Sequence, residues 1–104
     1  MDTNVILDEI KSKLQSVYGK RLKGVVLYGS EARGEAGSDS DIDILVLLDG
    51  PIRLWEDLQT NIQVLYPLSL HYGRPISPKP VDVRHYEEAK YPLYRNVRRE
   101  GVRA

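Results

Sequence analysis

Apolar residues recur near the start of the chain at Ile6, Leu7, Ile10, Leu14 and Val17. This 3.6-residue period predicts an amphipathic helix, capped by Asp2 or Thr3 and ended near Gly19. The pattern then changes. Val25-Val26-Leu27-Tyr28 is a short β-branched run that reads as a buried strand, and Gly29-Ser30 follows at once. Glu31-Ala32-Arg33 favours a short helix that Gly34 and Gly37 would break. Asp41–Leu48 reads as a second strand. Leu54–His71 reads as a longer helix with Leu58, Ile62, Leu65 and Leu68 on one face, which Pro67 is expected to kink or split. Pro75–Val83 carries three prolines and is at best an edge strand. A last helix is expected near Tyr91–Gly101. The order predicts an α/β (α+β) fold: a small mixed β-sheet with helices packed mainly on one face and the other face left open.

A length of 104 residues sets the scale at a single domain, 1–104, with one core and no room for a second domain to hold an acceptor substrate. There is no cysteine, so neither a disulfide framework nor a thiolate metal site is available. No signal-peptide pattern and no membrane-length apolar run stands in the sequence, and a cytoplasmic location is the expectation. The net charge is zero but uneven. Residues 1–71 hold seven basic and eleven acidic side chains, residues 72–104 eight and four. A zero sum argues against direct nucleic-acid binding. The basic tail suits an acidic partner, ATP phosphates or a solvated helix face.

The chemistry concentrates in Gly29–Val46. Glycine lets a phosphate approach the backbone, Ser30 can cap the short helix, and free N–H groups at a helix start favour an anion. Side chains alternate along a strand, so Asp41 and Asp43 share a face at about 6–7 Å between Cα atoms. Carboxylates so placed can converge on Mg²⁺, which prefers oxygen ligands and keeps water and phosphate in its shell. Asp43 interrupts an apolar strand, where an unpaired carboxylate is costly, so a cation or an arginine partner is expected. Arg33 is placed to contact phosphates or brace the pair, in preference to a surface ion pair. His71 and His85 lie too far apart to suggest a metal pair, and Trp55 and the seven tyrosines lack regular spacing, which fits packing.

The pattern G-S-x-A-R-G-x-x-x-x-x-S-D-x-D resembles the signature of the DNA polymerase β-type nucleotidyltransferase superfamily, with Gly29, Ser30, Ala32, Arg33, Gly34, Ser40, Asp41 and Asp43 at family positions. The short chain and its ending, Pro92–Gly101, are similar to the minimal nucleotidyltransferase (MNT) branch. The resemblance implies a nucleotidyltransferase palm with catalytic Asp41 and Asp43 on Mg²⁺, and Gly29, Ser30, Arg33 and Ser40 at the nucleotide. It also implies a third carboxylate from a later strand. Asp82 is the only acid in Pro75–Val83 and is either the candidate third metal ligand or a solvated acid at the strand end. If the family position falls instead near Arg74 or Pro75, that ligand is absent. The best-understood MNT proteins are antitoxins, which implies a hetero-oligomer with a HEPN-domain RNase toxin and transfer of AMP from ATP to a toxin tyrosine. Two alternatives stay open: an antitoxin that acts by steric binding alone, and a small-molecule nucleotidyltransferase.

Overall fold

The computed structural model describes residues 3–35, 37 and 40–104. Helix α1 (Thr3–Tyr18) runs through a 3₁₀ turn (Gly19–Arg21) into strand β1 (Leu22–Tyr28) and the single turn α2 (Gly29–Ala32). Strand β2 (Ile42–Leu48), helix α3 (Leu54–Tyr72) and strand β3 (Ile76–Asp82) follow. Helices α4 (Val83–Glu87) and α5 (Pro92–Glu100) and strand β4 (Val102–Arg103) complete the order. The sheet is mixed, in the order β3-β2-β1-β4, with β2 parallel to β3 and the other pairs antiparallel. No helix among the described residues is long and apolar enough to cross a membrane.

Period-2 alternation gives each central strand two apolar faces. On one, Val25, Leu27, Ile44 and Val46 pack against Ile6, Leu7, Ile10 and Leu14 of α1 and Leu65 and Leu68 of α3. On the other, Val26, Leu45, Leu47 and Val81 meet Tyr86 of α4 and Tyr94 and Val97 of α5. The long helices therefore share one face, as expected, while α4 and α5 cover only part of the other. Tyr28, Asp43 and Ser77, at the end of that second face, stay partly exposed. This uncovered end is where the chemistry of the sequence falls.

Three local readings change. The Asp2 cap lies outside the described residues, and Val17 is exposed rather than part of the α1 face. Helix α3 is turned relative to its apolar pattern: it buries Asp57 and Asn61 with Leu65 and Leu68, and leaves Ile62 outside. The two polar residues win because each is paired. Both Asp57 oxygens take the Arg21 guanidinium, at 2.7 and 2.8 Å, and Asn61 donates to the Pro78 carbonyl. Nor does Pro67 split α3, since it sits on the solvent side, where water can satisfy the Gln63 carbonyl it leaves free. Strand β3 is an edge strand, and Pro78 and Pro80 fit it because their backbone faces away from β2, as the Pro78–Asn61 bond requires. Neither α4 nor the two-residue β4 carries enough periodicity to be expected from sequence.

Candidate active site

Strand β1 ends at Tyr28, and Gly29 turns the chain in the left-handed region at φ +75°. A Cβ there would run into the carboxylate of Asp43, with Cγ at 3.3 Å. Glycine is thus required twice, by conformation and by the closeness of the acid. The turn α2 closes with paired bonds, Gly34 N–H to Glu31 C=O at 3.2 Å and Glu35 N–H to Ser30 C=O at 2.9 Å, with Gly34 left-handed at φ +73°. Ser30 does not cap α2. Tyr28 holds that place without a side-chain bond, because the helical turn begins at Gly29 itself. A four-residue turn has no appreciable macrodipole, so only its unpaired first N–H groups can serve an anion.

Asp41 precedes β2 and is exposed; Asp43 lies within β2 beside Tyr28 and is partly buried. Burial pushes the Asp43 carboxyl above its ordinary range, the Asp41 charge adds to this, and Arg33 opposes it. No hydrogen-bond donor among the described residues reaches Asp43. Arg33 lies close enough to act on it electrostatically, but its Nε is bonded to Glu35 at 3.1 Å in an exposed pair. Ser40 shapes the loop before the acids, its hydroxyl accepting the Gly37 N–H at 2.9 Å.

Asp82 is not part of this group. The register of β3 places Ser77 beside Asp43 and Asp82 beside Leu48, five residues further on, or about 17 Å along the strand. There Asp82 caps α4 through the Arg84 N–H at 2.9 Å and pairs with the Arg84 guanidinium, which holds its carboxyl below the usual range. It cannot share a cation with Asp43. The position beside Asp43 is a serine, and Arg74 and Pro75 supply no acid either. Among the described residues no group of three metal-ligating side chains comes together.

Sequence reasoning missed the opposite wall. A cleft of about 340 Å³ is lined by Tyr28, Gly29 and Arg33 on one side and by Leu93, Asn96, Arg99 and Glu100 of α5 on the other. The signals for Arg99 were the basic bias of the tail and the family-like ending Pro92–Gly101. The donor set fits a hard divalent cation: among the described residues neither carboxylate is bonded to an arginine, burial raises one of them, and the missing Cβ of Gly29 lets that carboxylate sit against the turn. Water and phosphate oxygens would complete its shell.

Residues 6–103 match the nucleotidyltransferase domain family. Two proteins of Methanocaldococcus jannaschii, each named "Putative protein adenylyltransferase", are similar to the chain. One is 31% identical over 97% of this chain and 96% of its own length, the other 35% identical over 75% and 78%. A solved structure described as "Crystal structure of the toxin-antitoxin with AMP-PNP" shares the fold, with a TM-score of 0.64 at 21% identity, covering 92% of this chain and 70% of that one. With a match that runs from α1 into β4, and with the glycine turn and the carboxylate pair at one open end of the sheet, the chain belongs to the nucleotidyltransferase domain family.

Proposed function

We propose that this chain is a Mg²⁺-dependent protein adenylyltransferase that serves as the antitoxin of a HEPN-domain RNase toxin in the cytoplasm, transferring AMP from ATP to a toxin tyrosine. The observation that carries the reading is Asp43, a partly buried carboxylate that no donor among the described residues reaches, set against Gly29. The names of the M. jannaschii relatives favour a protein acceptor. The toxin–antitoxin neighbour, with its ATP analogue, favours a toxin partner and ATP.

Asp41 and Asp43 would hold the Mg²⁺, which when bound neutralises phosphate charge and polarises the reacting phosphoryl group. The chain's remaining work is positioning. Gly29 and Ser30 offer backbone to the phosphates, and Arg33 can exchange its exposed Glu35 partner for a phosphate at small cost. Ser40 shapes the approach to Asp41, and Arg99 closes the cleft from α5. The tyrosine oxygen attacks the α-phosphorus in line. A new O–P bond forms, the α–β anhydride breaks, pyrophosphate leaves and the hydroxyl proton passes to solvent.

One observation favours a second reading, neutralisation by steric binding alone: serine stands beside Asp43 on β3, where a third carboxylate would have to be. Intact mass of the toxin, incubated with this chain, ATP and Mg²⁺, separates the two. A gain of AMP that disappears with the Asp41→Asn, Asp43→Asn double variant supports transfer. A silenced toxin in a tight complex with no mass gain ends the enzyme reading and leaves masking.

A further inference from the structure

The catalytic groups come from two separate stretches of chain. The turn at Gly29–Ser30 belongs to β1 and α2, Asp41 to the approach to β2, and the segment between them is rich in glycine and serine. One side chain spans them. Arg74, just after α3, is 4% exposed, and each of its three guanidinium nitrogens donates a hydrogen bond. Its Nη1 and Nη2 donate to the two oxygens of Glu31, at 3.0 and 3.2 Å, and its Nε donates to the Ser40 carbonyl at 2.9 Å. Glu31 follows Ser30 directly, and Ser40 precedes Asp41.

We infer that Arg74 is a positioning residue that locks the phosphate-facing turn and the carboxylate pair into one constellation. Its own anchorage is firm: Gly73 ends α3 in the left-handed region, and the Arg74 backbone is held at both ends by Ser69, N–H to the Ser69 carbonyl at 3.2 Å and C=O to the Ser69 hydroxyl at 2.7 Å. The planar fork of arginine serves a carboxylate with two parallel bonds and still has Nε for a third acceptor. Lysine keeps the charge but is a point donor and cannot hold both partners in fixed relative geometry. Neither Arg74 nor Glu31 points to this role in sequence, since they stand 43 residues apart.

The inference rests on the nucleotidyltransferase reading for its consequence, though not for its geometry, so the test has two arms. Arg74→Lys and Glu31→Gln are compared with the parent chain by amide hydrogen exchange and by titration with Mg²⁺ and AMP-PNP. The expected result is faster exchange at the N–H groups of Arg33, Gly34, Glu35 and Ser40, with β1 and β2 still protected. Nucleotide affinity should fall about tenfold for Arg74→Lys, as loss of a supporting contact commonly costs, and less for Glu31→Gln. Unchanged exchange at those four amides would overturn the inference. So would a uniform rise over the whole sheet, which marks a general stability role. If the parent chain binds no nucleotide, the functional reading fails, while the exchange arm still decides whether Arg74 joins the two segments.

Discussion

The two ends of the sheet treat their carboxylates in opposite ways. At the far end Asp57 is gripped by Arg21 through both oxygens and Asp82 by Arg84, and each carboxyl is held below its usual range. Tyr18 joins this end by bonding Asn61, and its hydroxyl is pushed up to about 12 by burial and then by the Asp57 charge. A larger cleft, about 580 Å³, also lies there, where Arg21 pairs with Asp57 and Arg53 with Glu56. At the near end Asp43 is pushed the other way, and no donor among the described residues reaches it. A paired acid contributes to the fold, whereas an unpaired acid in an apolar strand costs stability and is left available for a ligand. Cleft volume alone favours the far end over the near one.

The sharpest way to break this comparison is at Asp43. Asp43→Asn should lower AMP transfer by at least about a hundredfold, since even indirect damage to a metal site costs 10–100-fold, while the folded protein becomes no less stable. Transfer assays and thermal melts on one preparation check both halves. Activity within a few-fold of the parent would remove Asp43 from the site.

Gly29→Ala should follow, with transfer down about 10²-fold, the scale of a displacement near 1 Å. The new methyl must push the Asp43 carboxylate aside, and alanine in the left-handed region costs about 1–2 kcal/mol besides. Steady-state kinetics should place the loss in kcat more than in KM for the acceptor. A variant with normal kcat would mean that Gly29 is a turn residue only.

At the far end the effect should reverse in kind. Asp57→Ala removes one partner of a largely buried pair and should destabilise the fold by about 2–3 kcal/mol. Nucleotide affinity measured below the melting range should stay normal. Denaturant unfolding and titration with AMP-PNP supply the two readings. Weakened affinity in a fully folded Asp57→Ala protein would show that the two ends are coupled.

Much of the near end was legible because it is local. The Gly29-Ser30 turn after a β-branched run, and the alternation that sets Asp41 and Asp43 together, need only neighbouring residues to be read. What was missed is non-local. Arg99 and Asn96 reach the cleft because α5 folds back over the second face, and the fate of Asp82 depends on the register of β3 against β2. The α3 face was misread for a related reason: apolar periodicity pointed to Ile62, but the pairing of Asp57 with Arg21 and of Asn61 with Pro78 decided which side goes in.

The smallest effect tests the sign of the electrostatics directly. Asn at position 82 can still accept the Arg84 N–H and cap α4, so Asp82→Asn isolates the charge. Because the native carboxyl of Asp82 titrates below its unfolded value, its contribution is present above the ordinary carboxylate range and is lost as pH falls through the lowered value. Asp82→Asn should therefore lower Tm slightly at neutral pH, and the difference should close on acidification. Asp43 has the opposite sign. Its carboxyl is raised, so its charge costs stability at neutral pH, and the cost fades as pH falls from neutrality through the raised value. Asp43→Asn should raise Tm slightly at pH 7 and lose that advantage near pH 4, an interval set by the ordinary carboxylate range. Added Mg²⁺ with AMP-PNP should shrink the advantage at pH 7 by stabilising the parent chain alone. Melting curves across pH on the three proteins give the result in one experiment. Tm changes of the same sign for both variants would mean that the two ends of the sheet are electrostatically alike, and Asp43 would no longer stand apart as the acid left open for a cation.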